Sequence, residues 1–507
     1  MSRRALALAA LVFSGAIQAL IAAPHSWIWL HPVAWVPALL VIERLAGRRA
    51  FLAGWLTGAA ANAAIFAWLV PTIAHFTQLG VVVGVLALLV FAAAHGLYAA
   101  VFAWGFGPVR RAAGSAWPFA VAAWFTACER LAPQLFPYQQ GVAWYVEPAI
   151  FLAVATTGVA GITFLVLVAN ALAVQGIEAM RTRRGGRAFA ANAAAFAACV
   201  GLALGAAAHQ DARVAAAEAA ATPLRGAMLQ PGTDPLEAPA RNAEEAQVHA
   251  EALAVQARET LAADRAIAVL VMPEKAIEFE PERSWNRSIR ELAPAFGVEV
   301  WTGGAAAEHP DPERVRYFNS AFRLRADRAV APRYDKNVLV PFGEWLPDSL
   351  AWITRALGRN SFSPGHGMPI HEAGATRFAF LICYEAILPS FVRDPVARGA
   401  NLLVNLTYDG WFGDTAEPAQ HLMLVAVQAA QLGVPIVRST TTGISAFVDA
   451  RGRIAARTAL FERRALVGEV RPMRAPGAYV AWGDWLAWTC VAIALPLVAI
   501  GHARRPR

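Results

Sequence analysis

Apolar stretches of about the length that crosses a bilayer, roughly twenty residues, follow one another through the first 210 positions of this chain. They run from Arg3-Arg4 to Ala23 and then over roughly 27–45, 50–73, 79–105, 113–132, 150–178 and 188–208; one more lies near the end, at roughly 480–501. A soluble core cannot absorb so many of them, so the pattern predicts about eight transmembrane helices. The first resembles a secretory signal peptide, with Ala22-Ala23-Pro24 as a cleavage site. Further apolar segments follow at once, which favours an uncleaved first helix. Alanine and glycine are frequent throughout and permit close helix packing.

Composition matters here for its unevenness. Of the 507 residues 57% are hydrophobic and only 16% charged, and the mean hydropathy is +0.42. The charge is concentrated in residues 211–475, at the density of a soluble domain. A membrane part and a water-facing part follow. The net charge of +8 owes much to arginines beside apolar segments, which speaks for membrane orientation and against nucleic acid. Arg3 and Arg4, Arg44, Arg48 and Arg49, Arg110 and Arg111, and Arg181 to Arg187 fall in alternate connections, and Arg504, Arg505 and Arg507 close the chain on the same side. The positive-inside rule places that side in the cytoplasm. About seven spans then precede the water-facing part, which belongs outside the cytoplasmic membrane, with both termini cytoplasmic.

Residues 220–475 read as alternating strands and helices. Expected strands are Gly226–Gln230, Ala268–Met272, Val298–Thr302, Ser320–Arg325, Phe378–Ile382, Leu402–Leu406, Ile436–Arg438 and Ser445–Val448. Expected helices are Glu244–Ala263, Trp285–Phe296, Leu388–Arg393 and Pro418–Leu432. Buried apolar strands mixed with hairpin-like neighbours predict a layered α/β sandwich. The alanine-rich Ala215–Ala221 reads as a linker.

Three stretches carry the chemistry. Phe378-Ala-Phe-Leu-Ile-Cys383-Tyr384-Glu385 is a buried strand ending in a turn that presents a thiol. A thiol attacks as thiolate and is mostly protonated at neutral pH, so it needs a base and a cation. Ala268-Val-Leu-Val-Met272-Pro273-Glu274 ends in a carboxylate, and Tyr334-Asp335-Lys336 supplies an ammonium. Lys275 and Lys336 are the two lysines of the chain; every other basic position is arginine. Lysine is a compact point charge where arginine is a planar fork, so Lys336 reads as functional. Lys275 reads as a surface residue. The four cysteines, Cys128, Cys199, Cys383 and Cys490, form neither a disulfide framework nor a CxxC metal site. His309, His366 and His371 lack metal-ligand spacing, and His421 reads as structural.

Met272-Pro-Glu274, Tyr334-Asp-Lys336 with Pro341-Phe-Gly-Glu344, and Ile382-Cys383-Tyr-Glu385 resemble the Glu–Lys–Cys signature of the nitrilase superfamily. Asn405-Leu-Thr-Tyr-Asp-Gly-Trp-Phe-Gly413 and Arg438-Ser-Thr-Thr-Thr-Gly-Ile-Ser-Ala446 extend it. With the spans before and after, nearly the whole chain resembles the apolipoprotein N-acyltransferases. That resemblance implies an extracytoplasmic αββα nitrilase-like sandwich on a transmembrane bundle of about eight spans. Its domains are residues 1–212 (helices 1–7), 213–475 (carbon-nitrogen hydrolase domain) and 476–507 (helix 8 and tail), in a bacterial inner membrane with the catalytic domain in the periplasm.

The activity implied is transfer of an acyl chain from a phospholipid to the α-amine of a diacylglyceryl-cysteine at the N-terminus of apolipoproteins. The donor chain is the sn-1 chain, often of phosphatidylethanolamine. Cys383 is implied as the nucleophile, Glu274 as general base and acid, and Lys336 as oxyanion partner, through a thioester in a ping-pong scheme with no metal or organic cofactor. Glu344 is implied as the residue that orients Lys336, Tyr384 and Glu385 as shaping the substrate pocket, and Asn319 and Trp411 as near the site. Bland roles stand beside these: Glu344 a surface charge, Trp411 a core aromatic, Asn319 a turn residue, Cys383 a buried inert thiol.

This chain departs from the family at Met272, where Trp is common, at Tyr408 and Thr441, where Asn is common, and at Gln230-Pro-Gly-Thr-Asp-Pro235, where Gln-Gly-Asn is usual. These positions bear on substrate handling more than on the reaction. Trp345, Leu346, Leu350, Ile353 and Leu357 form an apolar stripe, either an arm dipping into the outer leaflet or a helix packed on the sandwich. Two other functions share the same residues: a membrane-tethered nitrilase-type amidase with water as acceptor, and a non-enzymatic lipoprotein-binding paralogue.

Overall fold

The computed structural model describes residues 2–77, 80–233, 240–311, 314–329, 331–341, 343–345 and 361–504. The chain forms two compact units, one of residues Met1–Arg213, Thr415–Val427 and Pro476–Arg507, the other of Val214–Asp414 and Gln428–Ala475.

The first unit is helical. Among the described residues five helical stretches are long and apolar enough to cross a membrane: Arg3–Ile21, Val81–Leu131, Val159–Thr182, Gly186–Ala220 and Trp485–Ala503. A sixth arises if Arg48–Ile65 and the following helix, bent by 59°, count as one. Val81–Leu131 folds back on itself at Gly114, whose φ of +58° suits glycine. The Trp124 indole donates to the Phe102 carbonyl at 3.0 Å, a contact that a straight helix of about 1.5 Å rise per residue forbids. Outward faces carry large apolar side chains such as Val82, Val90, Leu202 and Trp482, all exposed. Several apolar helices of this kind fit a multi-pass membrane protein.

Two further expected spans are broken. Residues 27–45 form three short pieces, Ile28–Leu30, His31–Ala34 and Val36–Ile42, because Pro32 and Pro37 each open a new helix. The freed backbone is satisfied from within: Asn170 Oδ1 accepts the Trp35 N–H and Asn170 Nδ2 donates to the His31 carbonyl, both at 2.8 Å. Residues 150–178 break at Gly158, φ +67°, before the long helix Val159–Thr182. The expected linker Ala215–Ala221 is instead the end of helix Gly186–Ala220, as a run of the strongest helix former favours.

The second unit is an α/β sandwich of two six-stranded sheets. The first has the order β12 (Arg464–Val470), β1 (Leu224–Gln230), β2 (Val269–Val271), β3 (Glu299–Asp311), β4 (Arg314–Leu324) and β5 (Tyr334–Asp335). The second has the order β11 (Ile454–Arg457), β10 (Ala446–Val448), β9 (Ile436–Thr440), β8 (Leu402–Thr407), β7 (Thr376–Ile382) and β6 (His371–Ala373). Both are mixed: β1 to β3 and β7 to β9 are parallel, and their edges are antiparallel. The two sheets meet face to face, with the Trp301 ring stacked on Phe378 at 4.1 Å between centroids. Helix Ala243–Ala263 lays Ala250, Leu253, Ala257 and Leu261 on Leu229, Leu270 and Val300 of the first sheet. Helix Pro389–Ala397 follows β7.

Every expected strand is present, with β3 and β4 a longer hairpin than expected. The expected helix Trp285–Phe296 is three short turns, Ser284–Asn286, Arg287–Arg290 and Leu292–Phe296. Of the apolar stripe, Trp345 is exposed, while Leu346, Leu350, Ile353 and Leu357 lie outside the described residues.

Candidate active site

Strand ends of the second unit bring the three chemical residues together. Glu274 follows β2 across Met272-Pro273, Lys336 follows the two-residue β5, and Cys383 terminates β7. All are buried, at 2%, 1% and 7% exposure. The approach of β3 to Glu274 requires glycine: a Cβ on Gly303 would lie 2.6 Å from the Glu274 Cα and from the Pro273 carbonyl oxygen. Cys383 has φ +50°, a left-handed conformation uncommon for a side chain of any kind but glycine. It opens the short helical turn Cys383–Ile387, so the strand ends and the thiol is turned out of the sheet register. Such outliers concentrate at functional sites.

Around these three lie the other expected residues. The Lys336 ammonium is 2.7 Å from Glu344 Oε2. Asn319, on β4, donates through Nδ2 to Glu274 Oε1 at 2.6 Å and to Glu344 Oε1 at 2.9 Å. Glu344 also accepts the Val340 N–H at 2.8 Å, and the Lys336 N–H donates to the Asn319 carbonyl at 2.8 Å. Asn319 is thus the bridge between two carboxylates rather than a turn residue, and Glu344, 8% exposed, is no surface charge. Glu274 Oε2 is buried and makes no hydrogen bond among the described residues.

Glu385 lies in the short turn that begins at Cys383. It is fully buried. Its Oε1 accepts the Tyr334 hydroxyl at 2.8 Å and the backbone N–H groups of Asn337 and Val338 at 2.7 and 3.0 Å, and its Oε2 accepts the Ile382 N–H at 2.9 Å. It ties the segment around Lys336 to the turn around Cys383. Tyr384 is buried beside it. Trp411 is half-buried and packs edge-on against Tyr408 at 5.6 Å.

Electrostatics follows from burial. Desolvation raises the Glu274 carboxyl above its ordinary range, against the pull of Lys336. Burial and then the Glu274 charge push the Cys383 thiol up, with Lys336 opposing. Burial would lower Lys336, but Glu344, Glu274 and Cys383 outweigh it and hold the ammonium protonated. Burial alone would raise Glu344, yet Lys336 keeps it low. The result is a fixed cation, a fixed carboxylate beside it, a carboxyl of raised proton affinity and a thiol that rests protonated.

The sequence reading missed two features. Arg438 and Asp409 form a fully buried pair at 2.6 Å, with Arg438 also donating to Asn405 Oδ1 at 2.6 Å; the Asp409 charge acts on Cys383. Their only sequence signal was membership of the two motifs around them. Lys275, read as a surface residue, is half-buried with its ammonium 5.1 Å from the centroids of both the Tyr408 and the Trp411 rings.

Both halves of the chain match known families. Residues 224–475 match the carbon-nitrogen hydrolase family, and residues 14–172 match the apolipoprotein N-acyltransferase N-terminal domain. An apolipoprotein N-acyltransferase of Geobacter metallireducens is 33% identical over 495 residues, 94% of this chain and 92% of its own. One of Bradyrhizobium diazoefficiens is 37% identical over 243 residues, 45% of this chain and 44% of its own. Among solved structures, Saccharomyces cerevisiae Nit3, a member of branch 10 of the nitrilase superfamily, covers 52% of this chain and 94% of its own, at 16% identity and a TM-score of 0.40. Matched along nearly its full length by a relative of that name, and in both halves by the corresponding families, the chain belongs to the apolipoprotein N-acyltransferase family.

Proposed function

We propose that Cys383 carries an acyl chain as a thioester between a phospholipid and the N-terminal amine of a diacylated apolipoprotein. The observation that carries this reading is the buried gathering of Glu274, Lys336 and Cys383 at three strand ends. Glu274, its proton affinity raised, takes the Sγ proton as sulfur attacks the ester carbonyl carbon. The new C–S bond leaves an oxyanion, which the Lys336 ammonium stabilises without reorganisation. Collapse breaks the ester C–O bond, and Glu274 returns the proton to the departing lysophospholipid hydroxyl. The α-amine of the diacylglyceryl-cysteine then attacks the thioester; its proton passes through Glu274 to the leaving thiolate, and an amide remains. Glu344 and Asn319 hold Lys336 and Glu274 in place, Glu385 fixes the nucleophile turn and with Tyr384 shapes the substrate pocket, and Trp411 is near the site. These steps call on no metal or organic cofactor.

The donor is the sn-1 chain of a phospholipid such as phosphatidylethanolamine. Residues 1–212 form helices 1–7, residues 213–475 the catalytic domain, and residues 476–507 helix 8 and the tail. The alternation of arginine-rich connections supports about eight spans in a bacterial inner membrane, with the catalytic domain periplasmic and both termini cytoplasmic.

The test is acyl loading. Full-length protein in detergent, given phospholipid alone, should acquire one acyl chain and release lysophospholipid; neutral hydroxylamine should strip it, and a diacylated lipopeptide should discharge it. Cys383→Ala should not load. An amidase predicts no lipid adduct, and a non-enzymatic paralogue predicts no adduct and no turnover. Loading that persists in Cys383→Ala places the chemistry elsewhere.

A further inference from the structure

Lys275 is the residue next to Glu274, and nothing in the reaction above uses it. It holds φ +55°, a left-handed conformation that a lysine adopts only where its surroundings impose it. Its ammonium sits 5.1 Å from the centroids of two rings, Tyr408 and Trp411, which themselves meet edge-on. A cation at that distance from two ring faces is attracted by both and loses part of its hydration. Among the described residues no carboxylate is within ion-pair distance of it. In a chain whose other basic residues, Lys336 aside, are all arginine, a compact ammonium has been kept, half-buried, partnered by aromatic faces and leaving N–H donors available.

We propose that Lys275, held over Tyr408 and Trp411, is an anion subsite that takes the phosphodiester of the acyl donor. The proposal rests on the acyl-transfer reading above and adds a binding group to it. In the donor the phosphodiester is joined through the glycerol to the ester that reacts, and in the chain Lys275 adjoins the carboxylate that moves the proton. A cation there fixes the lipid by its head while the ester is presented to the thiol. The diacylglyceryl acceptor has no phosphate, so the subsite acts in loading and not in discharge. Because the phosphate is remote from the bond being broken, its contact is the same in ground and transition state, and its loss raises KM rather than lowering kcat.

The experiment compares two donors of the same acyl chain on the full-length enzyme in detergent: a phospholipid and a p-nitrophenyl ester without phosphate. The readout is the ratio of their second-order loading rates onto Cys383. In Lys275→Met, which keeps the stem but not the charge, that ratio should fall roughly 10- to 100-fold, the effect of losing one charge-assisted contact, through KM for the phospholipid. Lys275→Arg, which keeps the charge in a bulkier fork, should restore only part of it. An unchanged ratio in Lys275→Met overturns the subsite, whether both rates hold, as for an idle residue, or both fall together, as for a strut under the loop. Wild-type protein that loads from the p-nitrophenyl ester and from no phospholipid overturns the acyl-transfer reading itself, and the subsite with it.

Discussion

Glu385 Oε1 accepts the backbone N–H of Asn337 at 2.7 Å, so one buried carboxylate joins the turn that begins at Cys383 to the segment that carries Lys336. With its other three donors this makes Glu385 the joint between two sheets at the site, β5 belonging to one and β7 to the other. Lys336 and Cys383 are therefore tied to each other through that joint as well as held by the strands behind them.

Its titration gives a prediction with a sign. Burial pushes the Glu385 carboxyl from 4.5 up to about 7, against its backbone donors, Lys336 and Tyr334. The folded chain therefore holds the proton more tightly than the unfolded chain. The linked stability is fully present below about pH 4.5 and is lost as pH rises through about 7. Glu385→Gln does not titrate. The thermal midpoint of the wild type relative to that variant should fall between those pH values by the equivalent of roughly 3 kcal/mol, then stay level. A difference independent of pH would show that the carboxylate is ionised throughout.

Asn319 donates one nitrogen to two carboxylates. Asn319→Asp removes both bonds and sets a third carboxyl against them. Loading of Cys383 should slow by at least about 10²-fold, since two bonds are lost and each charge-assisted bond contributes about 1.5 to 3 kcal/mol. Circular dichroism should still report the fold. Loading at the wild-type rate would remove Asn319 from the positioning of Glu274.

Lys336 is enclosed, with Glu344 at 2.7 Å. Arginine keeps the charge but brings a larger fork into that space. Lys336→Arg should lose at least ~10²-fold in loading rate, the effect of a misplaced oxyanion donor, with release of lysophospholipid falling in parallel. Near-normal rates would mean that charge alone suffices.

Helix Gly186–Ala220 separates an arginine-rich connection from the sandwich. Reporter fusions after residue 185 should be active only in the cytoplasm and fusions after residue 215 only outside it. The reverse pattern would invert the proposed topology.

The strands and the placing of Glu274, Lys336 and Cys383 at their ends were legible because each signal is local: an apolar run, its end, and a charged or nucleophilic residue just beyond. What escaped was the partnership between distant segments. Glu385 reads in sequence as a neighbour of the nucleophile, yet three of its four donors come from residues 334–338. β12 was invisible because Arg464-Ala-Leu-Val-Gly-Glu-Val470 gains its place only by pairing with β1. Lys275 looked like surface because the rings that hold it lie more than a hundred positions away. The broken helices at Pro32 and Pro37 were readable as prolines but not as tolerable ones, since Asn170, which satisfies the gap, belongs to another apolar segment.

The left-handed backbone at Cys383 has a consequence for how this sequence can drift. At φ +50° glycine is the residue the fold prefers, and asparagine comes next. Cysteine thus stands at this position against the preference of its own backbone, and on the proposed reading it is the reaction that opposes its replacement. Once a lineage no longer needs the chemistry, the same fold favours glycine there, and Cys383→Gly should melt no lower than Cys383→Ala although neither can react. A glycine or asparagine at this place in a descendant would record a lost activity in a protein whose architecture was left intact.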